Sequence, residues 1–284
     1  MLFLILWSLI QFALSCQETD PYKQIEKLIT EKKYEQASST LNDLTKKDEN
    51  NPKIYNLTAM MYRSMGGSEN IRIAESYYYK LYSNNKEDKN VELELGICSY
   101  LLGHKEKARL IFNSIHKTNK MIKELNYYMG CIAFDDNNMM LAREYFKKEL
   151  EINKSNVDAL FMLGTSYEHN DKSEAIKYYS RALELDPSHI ASLFNLSLAY
   201  SMVKDQDKAI QAANKLLQIE EAKNIKGTVY YNLACFYSLK KQEKNSIENL
   251  KKAIENGFND FEHAKKDADL KFLRDKRDFK ELIK

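Results

Sequence analysis

Five histidines, four cysteines and a scatter of paired carboxylates are the residues of this chain best suited to chemistry, and their spacing argues against most of it. A metal site on a helix takes a second ligand three or four residues from the first, so that both leave one face. No two of His104, His116, His169, His189 and His263 stand at that spacing. Pairs such as Glu92 and Glu94 are what 41 acids produce by chance on solvated helix faces, whereas a catalytic pair needs an enclosing pocket. No Gly-x-Ser-x-Gly, no His-Glu-x-x-His and no phosphate-cradling glycine loop occurs. Apart from Cys16, the thiols are Cys98, Cys131 and Cys235, an odd number without close spacing, which speaks against a disulfide framework. Free cysteine inside a helix behaves as a small apolar residue, so buried thiols are the expectation. Catalytic residues, a metal and a cofactor are not expected.

What the chain does carry is a periodicity. From Asp158 to Pro187, Leu160, Leu163, Gly164 and Tyr167 fall on one face of a helix. After a polar break at 169–172, Ala175, Tyr179, Ala182 and Leu183 fall on one face of a second helix. Gly164 and Ala175 supply almost no side chain, which lets two antiparallel helices approach closely where they cross. Asp186-Pro187 ends the second, because the residue before proline is pushed out of helical geometry. Small residues equivalent to Ala175 stand at Ala37, Ala74, Ala108, Ala142, Ala209 and Ser246, separated by 37, 34, 34, 33, 34 and 37 residues with Ala175 in its place. A second set in phase, Ala59, Gly96, Gly130, Gly164, Ser197 and Ala234, occupies the position of Gly164.

This pattern resembles the tetratricopeptide repeat (TPR), a 34-residue helix-turn-helix unit with small residues near positions 8, 20 and 27 and proline near 32. The resemblance implies an all-α TPR solenoid, a right-handed superhelix of about seven repeats over residues 22–255, with residues 256–284 as a C-terminal helical cap. In the first repeat Ile25 stands where a small residue is usual, and the second has three extra residues, read as a longer turn around Gly66-Gly67-Ser68. The polar stretch Ser83–Asn90 reads as an inter-repeat loop, and the glycosylation sequons at Asn56 and Asn195 are discounted because they fall inside predicted helices. The tail, with Asp267-Ala-Asp-Leu270, Leu273-Arg274, Phe279 and Leu282, resembles a segment that follows the last repeat of many bacterial TPR proteins.

The start of the chain has another character. Residues 1–14 are uncharged, and apolar but for Ser8 and Gln11, too short a run to span a bilayer comfortably and right for a signal peptide over residues 1–15. Ala13-Leu14-Ser15-Cys16 looks like a relaxed bacterial lipobox, which implies acylation of Cys16 and a tether over residues 16–21. The positive residues usual before the apolar run are missing, and Ala13 stands where leucine is usual. The expected place is therefore the cell envelope, on a lipid anchor, or else secreted or periplasmic.

TPR proteins line a groove with positions 5 and 9 of each first helix. Carried over by the resemblance, position 5 gives Asn56, Leu93, Tyr127, Phe161, Phe194 and Tyr231, and position 9 gives Met60, Ile97, Cys131, Thr165, Leu198 and Cys235. No lysine-arginine clamp for a terminal carboxylate is visible among them, and the groove reads as aromatic and aliphatic. With 43 basic and 41 acidic residues spread through all repeats, nucleic acid is not the implied partner, nor is a small-molecule substrate. The expected function is a non-catalytic protein-interaction scaffold, an exported lipoprotein that docks a peptide or helix of a partner during envelope assembly. The alternative is a structural spacer or oligomer linker whose groove is not used.

Overall fold

The computed structural model describes residues 20–284, so Cys16 and the apolar run before it lie outside the described residues. Seven helical hairpins follow one another: α1 (Pro21–Thr30) with α2 (Tyr34–Lys47), α3 (Pro52–Met65) with α4 (Ser68–Asn84), and α5 (Lys89–Leu101) with α6 (Lys105–Thr118). Then come α7 (Leu125–Asp135) with α8 (Met139–Ile152), α9 (Val157–Tyr167) with α10 (Lys172–Leu185), α11 (Ile190–Met202) with α12 (Gln206–Leu216), and α13 (Lys226–Leu239) with α14 (Glu243–Glu255). The tail forms α15 (Phe261–Lys266), a 3-10 turn Ala268–Leu273 and α16 (Arg277–Leu282). Among the described residues there is no strand, and no helix is long and apolar enough to cross a membrane. The chain divides into two compact units, one ending at Tyr128 and the other starting at Met129, within α7.

Local chemistry places the helix ends. α1 and α3 open with proline behind Asp20 and Asn51, whose side chains accept from the backbone of Tyr22 and Lys53. Asp171 caps α10 by accepting from the N–H groups of Ser173 and Glu174. Five hairpins close in the same way. In each, the middle residue of a three-residue connection is left-handed: Lys32, Gly103, Asn137, Lys204 and Lys241, with φ between 57° and 80°. Two backbone bonds then recover carbonyls from the end of the first helix, as in Lys33 N–H to Leu28 O at 2.8 Å with Lys32 N–H to Ile29 O at 3.0 Å.

In the first unit the core lies between the hairpins, with Ile25, Ala37, Leu41, Ile54 and Leu57 in one cluster and Ala59, Ile71, Ala74, Tyr78, Leu95 and Cys98 in the next. The extra residues of the second repeat are not in its turn. Gly66 and Gly67, both at positive φ, make a tight two-residue connection, and α4 runs for 17 residues where α2 and α6 run for 14. Three residues add most of one helical turn, so the insertion is absorbed by helix. α4 also continues through Asn84, which reduces the expected Ser83–Asn90 loop to residues 85–88.

In the second unit the same small positions are filled from across the hairpin. A Cβ on Gly130 would stand 2.6 Å from the ring of Phe146, and one on Gly164 2.7 Å from the ring of Tyr179. Both rings are fully buried, four residues beyond Ala142 and Ala175. Gly96 of the first unit stands in the same relation to Phe112. In the sixth repeat the equivalent positions are Ser197 and Ala213, both buried. Ser246, the odd member of the alanine series, gives its hydroxyl to Ala234 O across the α13–α14 crossing at 2.5 Å. The three extra residues before α13 appear as the 3-10 segment Glu220–Ile225. Ala264, Leu270, Leu273, Phe279 and Ile283 of the tail pack against Tyr231, Ala234, Cys235, Ile247 and Leu250.

Candidate functional site

Inside the second unit, the first helices α9 and α11 carry a half-buried aromatic pair, Phe161 and Phe194, at equivalent positions. Phe161 lies between the rings of Tyr179 (5.7 Å) and His189 (5.5 Å). One turn on, Thr165 and Leu198 are also half-buried. Beside them runs a short polar relay. The Tyr179 hydroxyl donates to the Glu168 carboxylate at 2.5 Å, lies 3.1 Å from Thr165 Oγ1, and accepts from Asn195 Nδ2 at 3.3 Å. Burial first, and the Glu168 carboxylate next, push the Tyr179 phenol well above the ordinary range, so it stays a neutral donor. The face formed by α9 and α11 therefore offers two rings and an aliphatic side chain beside a fixed set of polar groups.

The equivalent face of the first unit is built on charge. Arg63 Nε of α3 stands 3.1 Å from Glu94 Oε2 of α5, not aligned as a hydrogen bond, and its Nη1 is 3.8 Å from Glu124 Oε2. Burial opposes the Arg63 charge, but Glu94, Tyr78, Tyr128 and Glu124 outweigh it and raise its pKa. Burial raises the Glu94 carboxyl, with Arg63 pulling the other way. Cys98, fully buried beside this cluster, is pushed up to about 12 by burial and then by Glu94, which leaves it an inert thiol. Glu92 and Glu94 are thus not the solvated pair their spacing suggests. Glu94 keeps 21% of its side chain exposed and Glu92 12%, the latter ion-paired with Lys89 at 2.7 Å. Among the described residues, no group of three or more His, Cys, Asp or Glu side chains could hold a metal ion.

Three tetratricopeptide-repeat family models match residues 157–189, 178–211 and 227–256. The chain carries tetratricopeptide repeats. It is also similar to a chloroplastic protein of Arabidopsis thaliana, at 29% identity over 87 residues, 31% of this chain and 26% of that protein. Among solved structures, the Cut9–Hcn1 hetero-tetramer of APC/C superposes with a TM-score of 0.68 at 19% identity, over 87% of this chain and 47% of that one. A monomeric mutant of IFIT1 with m7Gppp-AAAA superposes with a TM-score of 0.64 at 16% identity, over 80% and 55%. The C-terminal part of a TPR protein of Cytophaga hutchinsonii gives 0.52 at 18%, over 84% and 99%. At these identities the likeness shows the fold, an all-α TPR solenoid. The chain spans about half of the first two structures and about a quarter of the Arabidopsis protein.

The TPR groove positions do not form one surface of uniform exposure. Phe161, Thr165, Phe194 and Leu198 keep part of their surface, as do Met60 and Tyr127 in the first unit, and Asn56 is exposed with its Nδ2 3.6 Å from Met60 Sδ. Leu93, Ile97 and Cys131 do not, at 5%, 0% and 4% exposure. Tyr231 and Cys235 are removed by the tail. Phe258 stacks on the Tyr231 ring at 4.3 Å, the Tyr231 hydroxyl donates to Asp267 Oδ2 at 2.5 Å, and Cys235 Sγ lies 3.6 Å from the same oxygen. Of the position-5 aromatics, Tyr231 is therefore lost as open surface, and within the second unit Phe161 and Phe194 remain partly exposed. Sequence reasoning missed Arg63, Glu94, Glu168 and Asn195. They occupy positions 12 and 6 of their repeats, and only the pairing of those two positions across successive hairpins would have marked them. Asn56 and Asn195 both lie within helices, α3 and α11.

Proposed function

We propose that this chain is a non-catalytic scaffold that docks a peptide or helix of a partner protein on the face of α9 and α11. The observation that carries the reading is the partial exposure of Phe161, Thr165, Phe194 and Leu198 on neighbouring first helices of one unit, where the equivalent Tyr231 and Cys235 are sealed. Large rings lose little rotamer entropy on binding and contribute most at interface hot spots. The TPR fold supports a protein partner, and the balance of 43 basic against 41 acidic residues favours it over nucleic acid.

The finer reading is an exported lipoprotein, anchored through Cys16, that acts in assembly of an envelope complex; its support is the apolar run of residues 1–14 and Ala13-Leu14-Ser15-Cys16. A photo-crosslinker in place of Leu198, used on membranes of the source cell, would capture the partner, and Phe161→Ala/Phe194→Ala is the matching test. The expected result is capture weakened roughly a hundredfold with helix content retained. A folded double variant that captures every partner at wild-type affinity would leave the spacer reading in its place.

A further inference from the structure

The tail leaves a recess of about 390 Å³ lined by Lys265 of α15, Arg274, Phe279 and Lys280 of α16, Ile283 and Lys284. The four polar residues of that lining are all cations. Phe279 and Ile283, at 2% and 4% exposure, form a sunken apolar floor. We propose that this recess binds an acidic peptide segment, seating one apolar side chain on the floor between carboxylates held by the rim.

Arg274 is fixed in place by its own backbone contacts, Nη2 donating to Lys266 O at 2.6 Å and to Asp267 O at 3.0 Å. These two bonds hold the guanidinium in place, and among the described residues no carboxylate pairs with it. Lys280 and Lys284 are exposed, and neither is paired with a carboxylate among the described residues. Lys265 reaches Glu262 at 2.7 Å, but both are largely exposed, and such pairs exchange at little cost. Carboxylates placed between these cations gain charge-assisted bonds that the folded chain does not supply itself. The size is that of a small ligand pocket, enough for one apolar side chain with its neighbours.

The same chemistry could in principle face an anionic membrane, and two observations favour the peptide. Residues 256–284 hold eight Lys and Arg against seven Asp and Glu, so their field is close to neutral beyond a Debye length. The floor is recessed, and no apolar side chain of it stands out to enter a bilayer. This site is separate from the face of α9 and α11, and its test uses neither phenylalanine.

The probe is a labelled hexapeptide, Asp-Glu-Leu-Phe-Asp-Glu, titrated against the full chain by fluorescence anisotropy, with Asn-Gln-Leu-Phe-Asn-Gln as its neutral counterpart. Saturable binding of the acidic peptide is expected, weaker by roughly tenfold or more for the neutral one and for Lys280→Glu/Lys284→Glu. Both lysines are exposed, so the fold should persist, checked by circular dichroism, and Lys280→Ala/Lys284→Ala should fall between wild type and reversal. Absence of saturable binding by wild type, or equal binding by the charge-reversed variant, overturns the proposal. Sedimentation with phosphatidylglycerol vesicles without peptide binding overturns it as well, and assigns the recess to membranes.

Discussion

A methyl group on Gly164 would stand 2.7 Å from Cε1 and 2.8 Å from Cδ1 of Tyr179, a fully buried ring whose hydroxyl is tied to Glu168 and Asn195. Alanine is worth about 1 kcal/mol more than glycine in a free helix, but forcing volume into a packed crossing costs about 1–3 kcal/mol, so the clash should win. Gly164→Ala is therefore expected to lower the denaturant midpoint, and the loss should vanish when the ring is removed, in Gly164→Ala/Tyr179→Leu compared with Tyr179→Leu alone. An alanine that raised the midpoint by itself would mean that the ring yields freely. The small residues of both helices were legible in the sequence because they recur at a fixed period and nothing else explains them. The rings that fill the space, Phe112, Phe146 and Tyr179, recur just as regularly, yet a ring on an apolar helix face is compatible with many packings, so its recurrence names no partner. Charge was less legible still. Arg63 and Glu94 look like ordinary surface residues until α3 and α5 are set side by side.

At the scale of elements, the tail and the last hairpin depend on one another. Tyr231, Cys235, Ile247 and Leu250 share one core with Leu270, Leu273, Phe279 and Ile283 of the tail. Removing residues from Phe258 onward would return those side chains to water at about 25 cal/mol for each Å² of apolar surface, and a terminal repeat has no neighbour on that side to share the loss. The truncated chain should show faster amide hydrogen exchange in α13 and α14 than in α9 to α12, with a tendency to aggregate. Unchanged exchange and a monomeric, unchanged melting profile would show that the hairpin holds its own. The apolar positions of the tail could be read from the sequence. That Asp267 returns over Tyr231 and Cys235 could not, because those contacts join residues 36 and 32 apart with no periodicity to announce them.

At the scale of the whole molecule, the export reading is tested at one atom, the sulfur of Cys16. Each buried methylene of an acyl chain contributes about 0.8 kcal/mol to membrane attachment, so wild type should take up a fatty-acid probe and enter a detergent phase, and Cys16→Ser should do neither. A wild-type protein that stays unlabelled would remove the lipid anchor from consideration. Within the folded part, the five hairpins closed by a left-handed residue all keep a connection of three residues, although that residue is lysine in three, glycine in one and asparagine in one. Closure there is made by backbone groups, so drift in the side chains leaves the length unchanged while any insertion would break both bonds. Length variation is thereby channelled elsewhere in the array. Its two three-residue insertions lie where that closure is absent, one in α4 behind the Gly66-Gly67 turn and one in the segment Glu220–Ile225 between hairpins. Those two places are the natural ports at which such an array could gain a new loop, or accept a grafted one, without losing the register of its repeats.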